Sequence, residues 1–218
     1  RLLDNGRMRR LVTATCAGAT WLDELSLTRW RDDRLLDEDG EFVFVRDLES
    51  GVFWPIALRP GRVPVEHGEI DDGPAWFAIT REHEAIVARL QTWVDDETQM
   101  VGRLIRLENR SSRRRLLELT TWHEIVLDRP QAFAAHPAFS KLFLQTECDH
   151  ELGVVLARRR PRSPGDEYPC LGHGLWGPGE LEVETRRIRF LGRGGDLFRA
   201  HGLRSLEPLS GATGNVLD

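Results

Sequence analysis

The sequence predicts an all-β protein, folded as one large antiparallel β-sandwich of long, meandering strands. Three observations predict it. Apolar and polar side chains alternate over three long runs, short polar breaks separate these runs, and no helical pattern extends beyond two turns. Alternation with a period of two is typical of strands with one buried face. Many strands separated by turn residues, without alternating helices, favour a sandwich.

The three alternating runs are residues 84–94, 99–109 and 113–127. In the first run Ile86 and Ala88 fall on one face, and Arg89 falls on the other. Two short polar breaks, 95–98 and 110–112, separate the runs. Breaks of this length predict that the three strands follow one another as an antiparallel meander.

Shorter apolar segments predict the remaining strands. They are residues 10–16, 41–47, 52–58, 75–80, 141–148, 152–159 and 181–190. The stretch 128–137 holds two prolines and several alanines, which predicts a short helical turn within a connection. Residues 161–178 are rich in Pro and Gly and predict a surface loop. The glycines at 192–195 predict a turn that needs positive φ angles.

The composition of the 218 residues excludes several classes of protein. The net charge is −5, which argues against nucleic acid as a partner. There is no apolar run of about eighteen residues that could span a membrane as a helix. The histidines lack metal-ligand spacing, so no metal site is predicted. Three widely spaced cysteines indicate free thiols in a reducing compartment.

Several short segments, taken in order, carry a family resemblance. They are 5–7 (NGR), 28–33 (TRWRDD), 50–54 (SGVFW), 136–143 (HPAFSKLF), 158–163 (RRRPRS) and 190–194 (FLGRG). In order and spacing the chain resembles the N-terminal β-sandwich of glycoside hydrolase family 94, formerly glycosyltransferase family 36. That family includes cellobiose and chitobiose phosphorylases and the phosphorylase-like part of cyclic β-1,2-glucan synthases.

The resemblance implies that the reaction centre lies outside this chain. In the family the general acid is an aspartate of an (α/α)₆ barrel that follows the sandwich, and barrel residues also hold phosphate. We therefore expect residues 1–218 to be a single sandwich domain, a fragment of a larger enzyme, with no catalytic residue and no cofactor of its own. Inorganic phosphate is expected at the absent catalytic domain.

The resemblance also implies partners and a location. The partners expected are the (α/α)₆ barrel of the same parent chain, a β-glucan oligosaccharide and a second copy in a homodimer. The location expected is the cytoplasm, or the cytoplasmic portion of an inner-membrane synthase.

The first candidate site is the segment Arg29, Trp30, Arg31 and Asp32. An indole offers an apolar face to a pyranose ring, and guanidinium and carboxylate groups make directional hydrogen bonds to hydroxyls. This chemistry predicts a loop that borders a sugar cleft. The alternative is a loop pinned by its own Arg–Asp pairs, with Trp30 packed as a plug.

The second candidate site comprises His136 and Phe139. Pro137 restricts the backbone of His136, which could direct its ring at a partner domain or a second subunit. The alternative is a rigid turn with Phe139 in the core. The nearby basic run 158–162 could bind phosphate, or it could be a solvated strand end paired with acids.

Three functions therefore stand at this point. The first is a non-catalytic module that packs on and shapes the active site of an inverting β-glucan phosphorylase or cyclic β-1,2-glucan synthase. The second is a stand-alone carbohydrate-binding sandwich, for which seven tryptophans provide candidate contacts. The third is an independent glycoside hydrolase that uses Asp32 and Asp33.

Overall fold

A computed structural model describes residues 1–31, 39–59 and 67–215. The chain forms two compact units. The first comprises Arg1–Glu24 and Thr28–Glu124, and the second comprises Leu25–Leu27 and Ile125–Asp218. Across the described residues, strands in several antiparallel sheets outnumber the few short helices, which confirms the predicted all-β class.

Sixteen strands are formed by the described residues. They are β1 (Leu2–Asp4), β2 (Met8–Val12), β3 (Gly18–Leu22), β4 (Leu25–Thr28), β5 (Glu41–Asp47), β6 (Phe53–Pro55), β7 (His67–Asp72), β8 (Trp76–His83), β9 (Ile86–Val94), β10 (Val101–Asn109), β11 (Leu117–His123), β12 (Ile125–Asp128), β13 (Leu144–Asp149), β14 (Val154–Arg159), β15 (Leu171–Gly174) and β16 (Gly214–Asn215).

A four-stranded antiparallel sheet in the order β10-β9-β8-β7 is prominent in the first unit. One of its faces is packed into the core through Phe77, Ile79, Ile86, Ala88 and Val94. The opposite face, called the outer face below, carries Trp76 and Thr80 of β8, Arg89, Gln91 and Trp93 of β9, and Leu104, Arg106 and Glu108 of β10. These residues share a face because directly opposed partners in a sheet point to the same side.

Strand β5 lies at the centre of the sheet β11-β5-β6 in the same unit. All seven of its residues are buried. A strand covered on both faces carries consecutive apolar residues rather than alternating ones, and Phe42-Val43-Phe44-Val45 is such a run. The predicted strand 41–47 is confirmed with these bounds.

The predicted meander of three long strands is wrong at its third member. Strand β10 pairs with β9, but β11 pairs with β5 instead of β10. The connection before β11 explains the change, because the guanidinium of Arg115 binds the buried carboxylate of Asp47. In addition, Leu48 N–H donates to the carbonyl of Leu116 at 2.9 Å. Charge pairing therefore draws the third run to the end of β5.

The second unit contains the sheet β15-β14-β13-β16 and four short α-helices. The helices are α1 (Pro130–Ala135), α2 (Pro137–Lys141), α3 (Arg187–Leu191) and α4 (His201–Arg204), with a 3₁₀ turn at Leu197–Arg199. Helix α1 confirms the predicted helical turn after residue 128. The strand predicted at 181–190 is wrong.

The segment 181–190 fails as a strand because its apolar residues do not share one buried face. Leu181 and Ile188 are exposed, whereas the consecutive residues Phe190 and Leu191 are buried, as one side of helix α3. The helix ends at Gly192, whose φ of 81° only glycine adopts easily. The positive φ values of Gly192 and Gly194 confirm the predicted turn.

Within the ranges given above, no helix is long and apolar enough to cross a bilayer. Over the same ranges, no three His, Cys, Asp or Glu side chains converge as metal ligands. The three cysteines are free thiols, and they differ in burial: Cys16 is buried, whereas Cys170 is exposed.

Candidate functional site

The predicted Arg29–Arg31 segment follows β4, and its charges are paired. The Arg29 guanidinium donates to Glu124 Oε1 at 2.9 Å, and its Nε lies 3.5 Å from Asp39 Oδ1. The Arg29 backbone N–H also donates to the Glu124 carbonyl. Arg31 binds both oxygens of Asp39, at 2.8 and 3.0 Å. Two-pronged Arg–carboxylate contacts fix orientation as well as charge.

The structure thus brings Arg29 and Arg31 together through one shared carboxylate. Trp30 lies between them in sequence and is half-buried. Asp32 lies outside the described residues. The acid that pins this segment is Asp39, which is buried and lies beyond the Asp-rich stretch that follows Arg31. The arrangement is a segment held by paired charges, with one half-buried indole.

Sequence reasoning missed a buried ionic cluster in the same unit. Its centre is Glu41, whose side chain is only 3% exposed. The Thr20 hydroxyl donates to Oε1 at 2.6 Å, and Arg10 Nη1 forms an ion pair with Oε2 at 2.9 Å. Arg103 binds the same carboxylate, and His123 Nδ1 lies 3.8 Å from it. The cluster therefore joins residues of five strands: β2, β3, β5, β10 and β11.

The cluster holds two guanidinium groups against one carboxylate. Burial lowers the pKa of Arg10 to about 10, so this side chain is still protonated at neutral pH. Burial, and secondly the positive charge of Arg10, lower the pKa of Arg103. A signal for the cluster exists in the sequence, because Arg10 and Arg103 occupy core-facing positions of alternating strands. Buried arginines require an acid partner.

His136 and Phe139 belong to the second unit. His136 is exposed between α1 and α2, and its carbonyl accepts the Ser140 N–H at 2.9 Å. Phe139 is 51% exposed, so the alternative that buries it in the core is wrong. Its ring packs edge-to-face on Phe143, and the Arg162 guanidinium lies 5.0 Å from its centroid. Both residues are accessible to a partner, and a contact there stays a prediction.

The basic run 158–162 begins in β14 and is split between surface and interior. Arg158 is exposed and pairs with Glu147 at 2.5 Å. Arg159 is fully buried, pairs with Asp128 at 2.6 Å and donates to the Ser140 hydroxyl at 3.0 Å. Pairing with acids is therefore confirmed for these two arginines.

Comparisons with known proteins agree with the fold. The family model described as "Glycosyl hydrolase 94, supersandwich domain" matches residues 1–218. The cyclic beta-(1,2)-glucan synthase NdvB of Rhizobium meliloti (strain 1021) is 35% identical over 228 aligned residues, which cover 100% of this chain and 8% of that protein. The chain thus spans a small part of the length of this relative. The chain belongs to the glycosyl hydrolase 94 supersandwich domain family.

Proposed function

We propose that this chain is a non-catalytic domain that packs on and shapes the active site of an inverting β-glucan phosphorylase or cyclic β-1,2-glucan synthase. Membership of the supersandwich family supports the proposal, as does similarity to a protein named as a glucan synthase. The observation that carries it is the Arg29–Arg31 segment. Arg29 forms ion pairs with Asp39 and Glu124, and Arg31 forms one with Asp39. These pairs fix the surface that carries Trp30.

Such a surface would contribute by orienting the sugar substrate. In an inverting reaction one acid protonates the glycosidic oxygen while the nucleophile, here inorganic phosphate or a sugar hydroxyl, attacks the opposite face of the ring. Under the proposal these groups belong to a separate (α/α)₆ barrel. The indole of Trp30 would stack on a glucose ring and hold the scissile bond in line, because well-oriented binding lowers the barrier without proton transfer.

We propose three partners for the chain. A barrel domain of the same parent protein, a β-glucan oligosaccharide and a second copy of the chain are the expected contacts, and His136 and Phe139 provide an accessible docking point. The site of action would be the cytoplasm or the cytoplasmic side of an inner-membrane synthase.

The test is kinetic and uses the complete enzyme that contains this domain. Trp30→Ala and Arg31→Ala should each lower kcat/KM for the glucan about tenfold, the loss expected when one stacking or charge-assisted contact of about 1.4 kcal/mol disappears. Arg7→Ala is the matched control, since Arg7 forms an exposed ion pair with Asp23. Kinetics indistinguishable among all four proteins would overturn the proposed role.

A further inference from the structure

The outer face of the β10-β9-β8-β7 sheet combines groups that the proposed function does not use. Trp76 and Trp93 are directly opposed on β8 and β9, and both are half-buried. The next positions along the same face carry Gln91, then Arg89 opposite Arg106. At about 3.3 Å per residue, Trp93 and Arg89 are separated by about 13 Å, a span suited to an oligomer rather than to one small molecule.

Both tryptophans of the outer face pack against glycines. A methyl group at residue 102 would overlap the indole of Trp93, so that ring occupies the space above Gly102. Trp76 covers Gly73 in the same way. Each indole therefore fills the space beside a glycine, and its half-exposed part is accessible to a ligand. Arg89 lies 6.0 Å from the Trp76 centroid, so a cation–π contact helps to fix this ring.

The two arginines of this face are in different states. Arg89 donates to Asp71 at 3.0 Å and to the Thr80 hydroxyl at 3.1 Å. Arg106 is exposed and makes no hydrogen bond or ion pair with any residue in the described ranges. Like charges directly opposed across strands are unfavourable. An acceptor placed between Arg89 and Arg106 would relieve this repulsion.

A depression lies at this position. Its volume is about 490 Å³, and its lining includes Thr80, Arg89, Arg106 and Glu108. Sites for small ligands enclose roughly 300–1,000 Å³. The lining carries both signs of charge, since Glu108 is held beside Arg110 at 2.9 Å. A mixed lining of this kind favours a neutral, polyhydroxylated ligand over a simple anion.

We propose that the outer face is a second sugar-binding surface, on which a β-glucan chain stacks over Trp76 and Trp93 and accepts hydrogen bonds from Arg89 and Arg106. Indoles match the apolar faces of pyranose rings, and guanidinium groups match their hydroxyls. The identity of the sugar rests on the proposed function. The location of the surface rests on the sheet register, the two tryptophans that pack against glycines, the unpaired Arg106 and the depression.

The binding test uses the 218-residue chain and linear β-1,2-glucan oligosaccharides, followed by isothermal titration calorimetry. Arg106→Ala should weaken binding about tenfold without disturbing the fold, because the side chain is exposed and contacts no described partner. Trp93→Ala should weaken it by at least as much. Trp176→Ala is the matched control, since Trp176 also lies over a glycine, Gly174, but is not part of the outer face.

Four results would overturn the inference. They are no heat of binding at millimolar glucan, equal affinity of Arg106→Ala and the unsubstituted chain, equal weakening by Trp176→Ala, and binding of inorganic phosphate in place of glucan. Concentration-dependent self-association abolished by Trp93→Ala would assign the face to a second copy instead. If the chain does not bind glucan but Trp30→Ala still lowers kcat/KM of the enzyme, only this inference is overturned. If the outer face binds glucan but Trp30→Ala has no kinetic effect, only the proposed function is overturned.

Discussion

The two faces of the four-stranded sheet use the same residue type in opposite ways. Arg103 and Arg106 lie three residues apart on β10 and point to opposite sides. Arg103 is 13% exposed and binds Glu41, with His123 Nε2 at 3.2 Å. Arg106 is exposed and has no partner among the described residues. The strand register, rather than the residue type, therefore separates an arginine that stabilises the core from one available to a ligand.

The largest effect is expected at the centre of the buried cluster. Glu41→Gln leaves Arg10 and Arg103 without a counter-charge in the core, and removing one partner of a buried ion pair costs about 3–5 kcal/mol. Urea unfolding should show this loss of free energy. Glu49→Gln is the control, because its pair with Arg113 is exposed and contributes about 0–1 kcal/mol. Equal effects of the two substitutions would contradict a structural role for Glu41.

The next effect tests the other buried acid of β5 and depends on pH. Burial raises the pKa of Asp47, but hydrogen bonds from the N–H groups of Glu49 and Ser50 and from Arg115 lower it further, so the pKa lies below its ordinary value. Because the folded-state pKa is depressed, the carboxylate stabilises the fold fully above the unfolded pKa of about 3.9 and loses this effect as the pH falls below it.

Asp47→Asn should therefore lower the free energy of unfolding by about 3 kcal/mol at pH 7. The difference from the unsubstituted chain should shrink as the pH is taken below about 4. Urea unfolding at a series of pH values measures both. A difference that stays constant down to pH 3 would show that the charge of Asp47 is not the stabilising feature.

A smaller effect separates the two arginines themselves. Arg103→Met should cost about 2 kcal/mol, less than Glu41→Gln, because Glu41 keeps Arg10 as a partner. Arg106→Met should change the free energy of unfolding by about 0.5 kcal/mol or less, as is usual for exposed side chains without contacts. Thermal or urea unfolding of this matched pair measures the difference between the two faces. Equal losses of unfolding free energy would contradict that difference.

The smallest effect concerns the seat of Trp93. Gly102→Ala places a methyl group where the indole lies, and overpacking of this kind costs about 1 kcal/mol. Trp93 should then become more accessible to acrylamide quenching. Gly172→Ala is the control, since a methyl group there meets Val154 at 3.4 Å, an ordinary contact. Unchanged quenching of the Gly102→Ala protein would contradict the placement of the indole against Gly102.

Much of the fold follows from alternation. The predicted strands 84–94 and 99–109 correspond to β9 and β10 within two residues, because each has one face in the core. Alternation says nothing about which strands pair, and the third run joined β5 through Arg115 and Asp47. Short strands such as β15, inside the predicted loop 161–178, carry too few residues for a period to be visible.

In the candidate site, too, local features are visible in the sequence, whereas contacts between distant segments are not. Arginine–aspartate pinning of the segment at Arg29 is visible in the sequence as an alternative, but its partner Asp39 is found only in the fold. Alternation marks Arg10 and Arg103 as core-facing, but the Glu41 cluster joins strands far apart in the chain, so no local pattern reveals their shared acid. The outer face shows Arg89 and Trp93 by alternation, whereas the glycine beneath Trp93 depends on the register of β10.

A domain that supports chemistry located elsewhere should show no turnover of its own, and the purified 218 residues test this. β-1,2-Glucan oligosaccharides with inorganic phosphate, and an aryl β-glucoside in buffer, should release no product above the blank. Product formation by the chain alone, abolished by Asp32→Asn, would contradict the proposed non-catalytic role and assign catalysis to the domain itself.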